Sequence, residues 1–214
     1  MSIPRLRDFC IDTTMADISA LILDFGGVLS YLQSEDWYLA MAARLQVDAS
    51  AFRAAYWEHR HAYDGGLSAP EYWRRVHATL GRPCGPVDPL IQSDVASWTE
   101  FREEVWALAR DFRWRGGRTA FLSNGVPEAM AHIRAMRPLE LWFDAVVVSC
   151  EVGASKPGSL IYEICLSRLG VVPERALFVD DRTDNIEGAA RLGIETLHFA
   201  GDDAVARLRA RLTS

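Results

Sequence analysis

Five short, largely apolar runs constrain most strongly what this chain can fold into. They occupy residues 20–23 (ALIL), 118–122 (RTAFL), 145–149 (AVVVS), 176–179 (ALFV) and 195–199 (ETLHF). Strands without a regular apolar–polar alternation are buried on both faces, as in a parallel sheet. Helical patterns fall between the later runs, at 127–136, 159–169, 184–192 and 203–212. Gly170 and Gly193 stand where helices stop, and Asp184 is the expected N-cap of the third. Strand and helix in alternation predict an α/β fold, a doubly wound parallel sheet.

Residues 31–106 break the alternation. This stretch is rich in aromatic residues, carries no strand-like run, and reads as helices at 34–45, 50–63 and 68–80 with a loop over 81–89. The expected organisation is therefore a core at 20–31 and 107–214, a helical cap inserted at 32–106, and an N-terminal extension at 1–19, within which Met15 is an alternative start.

The net charge of −6 argues against nucleic acid or an acidic membrane surface as partner, since either needs a basic face. No run approaches the ~20 apolar residues of a membrane span, and the N-terminal segment lacks the apolar stretch of a secretory signal. Cys10, Cys84, Cys150 and Cys165 show neither CxxC pairing nor metal-ligand spacing, so Cys150 and Cys165 are expected as buried free thiols in a cytoplasmic protein. The sequence leaves monomer and dimer equally open.

Three of the apolar runs end in chemistry-bearing residues: Asp24, Ser123, and the pair Asp180 and Asp181. Open α/β sheets bind ligands at the carboxyl ends of their strands, so these residues are expected to converge although they are far apart in sequence. Lys156, in the loop after the third run, belongs to the same rim. It is the only lysine among 23 basic residues. A chain that otherwise uses arginine points there to a site for a compact point charge, where a planar guanidinium does not fit. Each residue also has a plainer reading. Asp24 and Ser123-Asn124-Gly125 are turn formers in their own right. Adjacent Asp180 and Asp181 are harder to explain so, because like charges side by side gain little without a cation. Carboxylates with a hard cation, a lysine and a hydroxyl bind a phosphate; carboxylates alone repel it.

The segments DFGGVL (24–29), LSNG (122–125), SKPGSLIY (155–162) and FVDDRTDNIEGA (178–189) together resemble the four ordered motifs of the haloacid dehalogenase superfamily, in its branch with a helical cap after the first motif. The resemblance implies a Rossmann-like core and a Mg²⁺-dependent phosphatase acting on a small phosphorylated metabolite. Asp24 would attack phosphorus and form an aspartyl-phosphate. Asp24, Asp181 and the backbone carbonyl of Gly26 would hold Mg²⁺, with Asp180 acting through a water. Ser123 and the amide of Asn124 would grip the phosphoryl oxygens, and Lys156 would neutralise charge on the nucleophile and the transferring group.

One position departs from the pattern. Phosphatases of this family typically carry a second aspartate two residues after the nucleophile, as general acid and base; here it is Gly26. Such a group is typically worth ~10²–10⁴ in rate. Three outcomes follow: preference for good leaving groups, an acid supplied by the cap from His59, His61 or Asp64, or a weakly catalytic domain that binds a phosphorylated ligand. The cap stretch 56–66 is the expected substrate-facing segment, with His59, Arg60, His61, Tyr63 and Asp64 as candidate contacts. Helical spacing puts Tyr56, Arg60 and Tyr63 on one face and Trp57, His61 and Asp64 on another, and one face must pack. Two relatives of other chemistry remain for comparison. A metal-independent 2-haloacid dehalogenase has no use for Asp180 and Asp181. A phosphonate-cleaving enzyme needs a cap lysine, and this cap has none.

Overall fold

A computed structural model describes residues 17–213. Cys10, Met15 and all but residues 17–19 of the expected N-terminal extension lie outside the described residues. The chain runs β1 (Ala20–Leu23), α1 (Glu35–Leu45), α2 (Ala49–Glu58), α3 (Arg60–Asp64), α4 (Ala69–Thr79), α5 (Asp88–Ser97) and α6 (Glu103–Trp114). Then follow β2 (Arg118–Ser123), α7 (Pro127–Met136), α8 (Leu139–Trp142), β3 (Ala145–Val148), α9 (Ser149–Val152) and α10 (Ser159–Leu169). The last elements are β4 (Ala176–Asp180), α11 (Thr183–Ala190), β5 (Glu195–His198) and α12 (Ala204–Thr213).

The five strands are parallel, in the order β3-β2-β1-β4-β5. All five apolar runs are strands, and the four residues of β1 are fully buried. Alternate residues feed two apolar layers. Leu21, Leu23, Phe121 and Val179 join a layer that continues into the cap helices through Phe52, Tyr56 and Trp73. Ala20, Ile22, Leu122 and Phe178 join a second layer with Ile161 and Cys165 of α10 and Ala189 of α11. The chain leaves β1 toward β2 and β3 on one side and returns to β4 on the other. The switch point therefore lies between β1 and β4, where a doubly wound sheet opens a crevice.

The helices between β1 and β2 leave and return through one paired junction. Tyr31 N donates to Glu100 O (2.9 Å), Arg102 N donates to Leu29 O (2.9 Å), and Ser30 pairs with Phe101. The Trp106 indole donates to Leu29 O at 2.8 Å, and α6 packs against β2. We therefore place the return crossing at Phe101, and α6 runs unbroken through the expected 106/107 boundary.

Several local expectations are corrected. The helix expected over 50–63 is broken at His59, which caps the end of α2 and the start of α3. The Arg60 guanidinium just after the break reaches both Tyr56 and Asp64. Helix α5 escapes the periodicity because it buries a charged residue, Asp94, beside Leu90 and Val95. Asp184 is not the N-cap of α11. That position is Arg182, in extended backbone, and Asp184 lies in the first turn with its carboxylate paired to the Arg182 guanidinium (2.8 Å). Cys165 is buried as expected, whereas Cys150 is only partly so.

Candidate active site

The sheet register places the nucleophile candidate. Leu23 lies opposite Val179, and the Asp24 amide continues the ladder by donating to Val179 O at 3.0 Å. Asp24 therefore comes beside Asp180, the last residue of β4. The Phe25 amide donates to Asp24 Oδ1 at 2.6 Å. Lys156 Nζ lies 2.7 Å from that same Oδ1 and 2.6 Å from Asp180 Oδ2. Only 2% of Lys156 is exposed, so this is a buried ammonium held between two carboxylates. Its backbone is held as well: Asn124 Nδ2 donates to Lys156 O and Lys156 N donates to Asn124 Oδ1, both at 2.9 Å. The side chain of Asn124 thus ties the lysine loop to the end of β2, a role the sequence did not suggest.

Both oxygens of Asp180 are engaged. Oδ1 accepts from the Arg182 amide (2.9 Å) and from Asn185 Nδ2 (3.0 Å), and Oδ2 accepts from Lys156 and from Asn185 Nδ2 (3.1 Å). Asn185 sits in the first turn of α11, 3% exposed, and sequence reasoning passed over it. Its signal was available: an amide five residues after Asp180 on a helix that starts at the strand end.

The electrostatics are unbalanced. Three carboxylates share one ammonium, leaving a net charge of −2 in a buried pocket. Burial, and next Asp180, push Asp24 well above the usual carboxylate range, against the pull of Lys156. Burial and then Asp180 push Asp181 up to about 6. Burial alone would lower the Lys156 ammonium, but Asp180 and Asp24 more than offset it and hold it above its ordinary value. A divalent cation is the natural counter-charge. One oxygen from each of Asp24, Asp180 and Asp181 lies within 4.8 Å of the others, close enough for one cation to draw them together. Both Asp180 oxygens are already engaged by Arg182, Asn185 and Lys156, which leaves Asp24 and Asp181 the freer pair.

The two glycines after Asp24 do different things. Gly27 has φ +76°, and a Cβ there would come within 2.5 Å of Asp181 Oδ2. Gly26 has no such backbone constraint, but a Cβ there would lie 2.9 Å from Cζ3 of Trp98. An indole from the cap therefore occupies the space into which a side chain at position 26 would project.

These residues line one cleft of about 410 Å³ between core and cap. Asp24, Gly26, Ser123, Asn124, Lys156 and Asp181 contribute from the core. From the cap come Trp57, Arg60, His61, Asp64 and Trp98. Of the two helical faces expected for the cap stretch, the Trp57, His61, Asp64 face lines the cleft, and Tyr56 and Tyr63 are fully buried on the other. Tyr63 stacks on Tyr72 with ring centroids 4.3 Å apart, which removes it from the cleft. His59 also points elsewhere, with Nε2 2.9 Å from Thr79 Oγ1. Arg60 reaches the cleft wall but is 6% exposed, bonded to Asp64 (2.9 Å) and Tyr56 (2.5 Å) and 3.5 Å from Asp94. A buried cation so engaged is mainly a structural one.

A parallel doubly wound sheet with carboxylates at its switch point and a helical cap over them defines a class of hydrolases. Residues 18–193 match the family model for haloacid dehalogenase-like hydrolases, and the chain belongs to that family. It is 27% identical over 192 residues to the D-ribitol-5-phosphate phosphatase of Bacteroides thetaiotaomicron, covering 84% of this chain and 90% of that protein. It is 38% identical over 102 residues to mouse acyl-CoA dehydrogenase family member 10, covering 47% of this chain but 9% of that longer protein. A wild-type HAD family enzyme of Bacteroides thetaiotaomicron, solved with magnesium and inorganic phosphate, superposes with a TM-score of 0.64 at 20% identity, covering 84% of this chain and 92% of that one. Among the described residues no helix is long and apolar enough to cross a membrane.

Proposed function

We propose that the protein is a Mg²⁺-dependent phosphatase that hydrolyses a small phosphorylated metabolite through an aspartyl-phosphate on Asp24. The observation that carries this reading is the cluster of three carboxylates, with one lysine between Asp24 and Asp180, whose excess negative charge a divalent cation would balance. Asp24, Asp181 and the Gly26 carbonyl would hold Mg²⁺, with Asp180 acting through a water, and the ion would supply positive charge for phosphoryl oxygens. The Phe25 amide and Lys156 engage Asp24 Oδ1, which orients the other carboxylate oxygen for in-line attack on phosphorus. Ser123 and the Asn124 amide hold the phosphoryl oxygens, and Lys156 offsets the charge that accumulates during transfer. The likeness to a D-ribitol-5-phosphate phosphatase supports the same substrate class.

The test is a panel of phosphate monoesters and 2-haloacids assayed with Mg²⁺ and with excess EDTA. Phosphate release that stops with EDTA and returns with Mg²⁺ is expected. Halide release unaffected by EDTA would replace this reading with a metal-independent dehalogenase. Tight phosphate binding without turnover would leave a ligand-binding domain.

A further inference from the structure

We infer that Asp64, carried by the cap, is the general acid and base of this site, in place of a carboxylate at position 26; the inference rests on the phosphatase reading. Three observations support it. First, Asp64 is latched to the loop that follows β2. The Gly125 amide donates to Ser149 Oγ at 3.0 Å, and the Ser149 hydroxyl donates to the Asp64 carbonyl at 2.6 Å. Gly125 directly follows Ser123 and Asn124, so the end of α3 is held against the segment proposed to grip the phosphoryl group. Ser149 is 2% exposed, which shields both bonds from water.

Second, the side chain belongs to a buried group that is short of positive charge. Asp64 Oδ1 accepts from Arg60 Nε at 2.9 Å, and the same guanidinium lies 3.5 Å from Asp94 Oδ2. Two carboxylates share one cation, so a buried net charge of −1 is relieved when one of them takes a proton. Asp94 is 1% exposed and accepts from the Tyr56 hydroxyl at 2.7 Å, away from the cleft. Asp64 lines the cleft and is the one placed to exchange that proton with a ligand. Burial raises the Asp64 carboxyl above its ordinary value, against the pull of Arg60.

Third, the competing positions are weaker. Trp98 fills the space beside Gly26. His59 is engaged with Thr79, and His61 stands exposed on the cleft wall with no comparable anchor to the core.

The proton moves as follows. Asp24 forms a bond to phosphorus, the ester P–O bond breaks, and its electron pair stays on the leaving oxygen, which takes the Asp64 proton and departs as the alcohol. The Asp64 carboxylate then removes a proton from water as that water's oxygen attacks the aspartyl-phosphate. The bond from phosphorus to Asp24 breaks, inorganic phosphate leaves, and Asp64 is protonated again.

The experiment compares Asp64→Asn with the wild-type full chain, loaded with Mg²⁺, in single-turnover release of alcohol from glycerol phosphate and from 4-nitrophenyl phosphate. Alkyl release should fall ~10²–10⁴-fold. Nitrophenol release should fall far less, because that oxygen departs without a proton. Equal losses on both substrates would make Asp64 merely structural and overturn the inference. A selective loss in His61→Gln with none in Asp64→Asn would transfer the role to His61. Should Asp64→Asn fail to fold, Ser149→Ala opens the latch with the carboxyl retained; a loss confined to the alkyl ester supports the inference, and its absence overturns it. Wild-type protein that releases neither alcohol removes the phosphatase reading itself, and this inference with it.

Discussion

Replacing Asp181 by asparagine should make the metal-free protein more stable while removing its response to Mg²⁺. In the folded chain this carboxyl is pushed from its ordinary 3.8 up to about 6, by burial and by Asp180. About two pK units at ~1.4 kcal/mol each give ~3 kcal/mol, which partial exposure of the side chain reduces to ~1–3 kcal/mol. The sign follows from proton binding. A carboxyl whose folded pKa is raised binds more protons folded than unfolded between about pH 4 and 6, so the metal-free wild type loses stability as pH rises through that window. Above pH 6 the penalty is complete, and below pH 4 it is gone. Asp181→Asn should therefore melt ~2–10 °C above wild type at pH 8 in EDTA, and level with it at pH 4, for a chain of this size. Scanning calorimetry at the two pH values, with and without Mg²⁺, reads both effects. Mg²⁺ should raise the melting temperature of wild type at pH 8 and leave the variant unmoved. A variant less stable than wild type at pH 8, or a gain that does not vary with pH, would refute the reasoning about the cluster.

Lys156→Met should destabilise the protein by ~3–5 kcal/mol at neutral pH, because it leaves Asp24 and Asp180 buried without their shared cation; urea melts would show it, and a loss below ~1 kcal/mol would speak against a buried pair. Gly26→Asp should cost ~1–3 kcal/mol, since its Cβ would meet the Trp98 ring at 2.9 Å, and the double variant with Trp98→Ala should show a smaller loss than the sum of the two single variants. Asn185→Ala removes both amide bonds to Asp180 and should weaken Mg²⁺ affinity ~10–100-fold by titration calorimetry, with unchanged affinity refuting its supporting role.

The sheet was legible in the sequence because strands buried on both faces need apolar residues at nearly every position, and such runs stand out without alignment. All five runs end within one residue of the observed strand, and Asp24, Ser123 and Asp180 were legible because each is the first polar residue to close an apolar run. Lys156 was legible through composition, as a lone lysine among arginines. What the sequence left open depends on groups far apart in the chain. Trp98 against Gly26, Asp94 against Arg60, and Ser149 between Gly125 and Asp64 each join segments that share no periodicity. The choice between the two faces of the cap stretch was of the same kind: both carry aromatic and polar residues, so only packing against α4, which stacks Tyr72 on Tyr63, decides which face turns to the cleft. Local pattern records how much of a residue is buried, whereas its partner is set by how the cap folds back on the sheet.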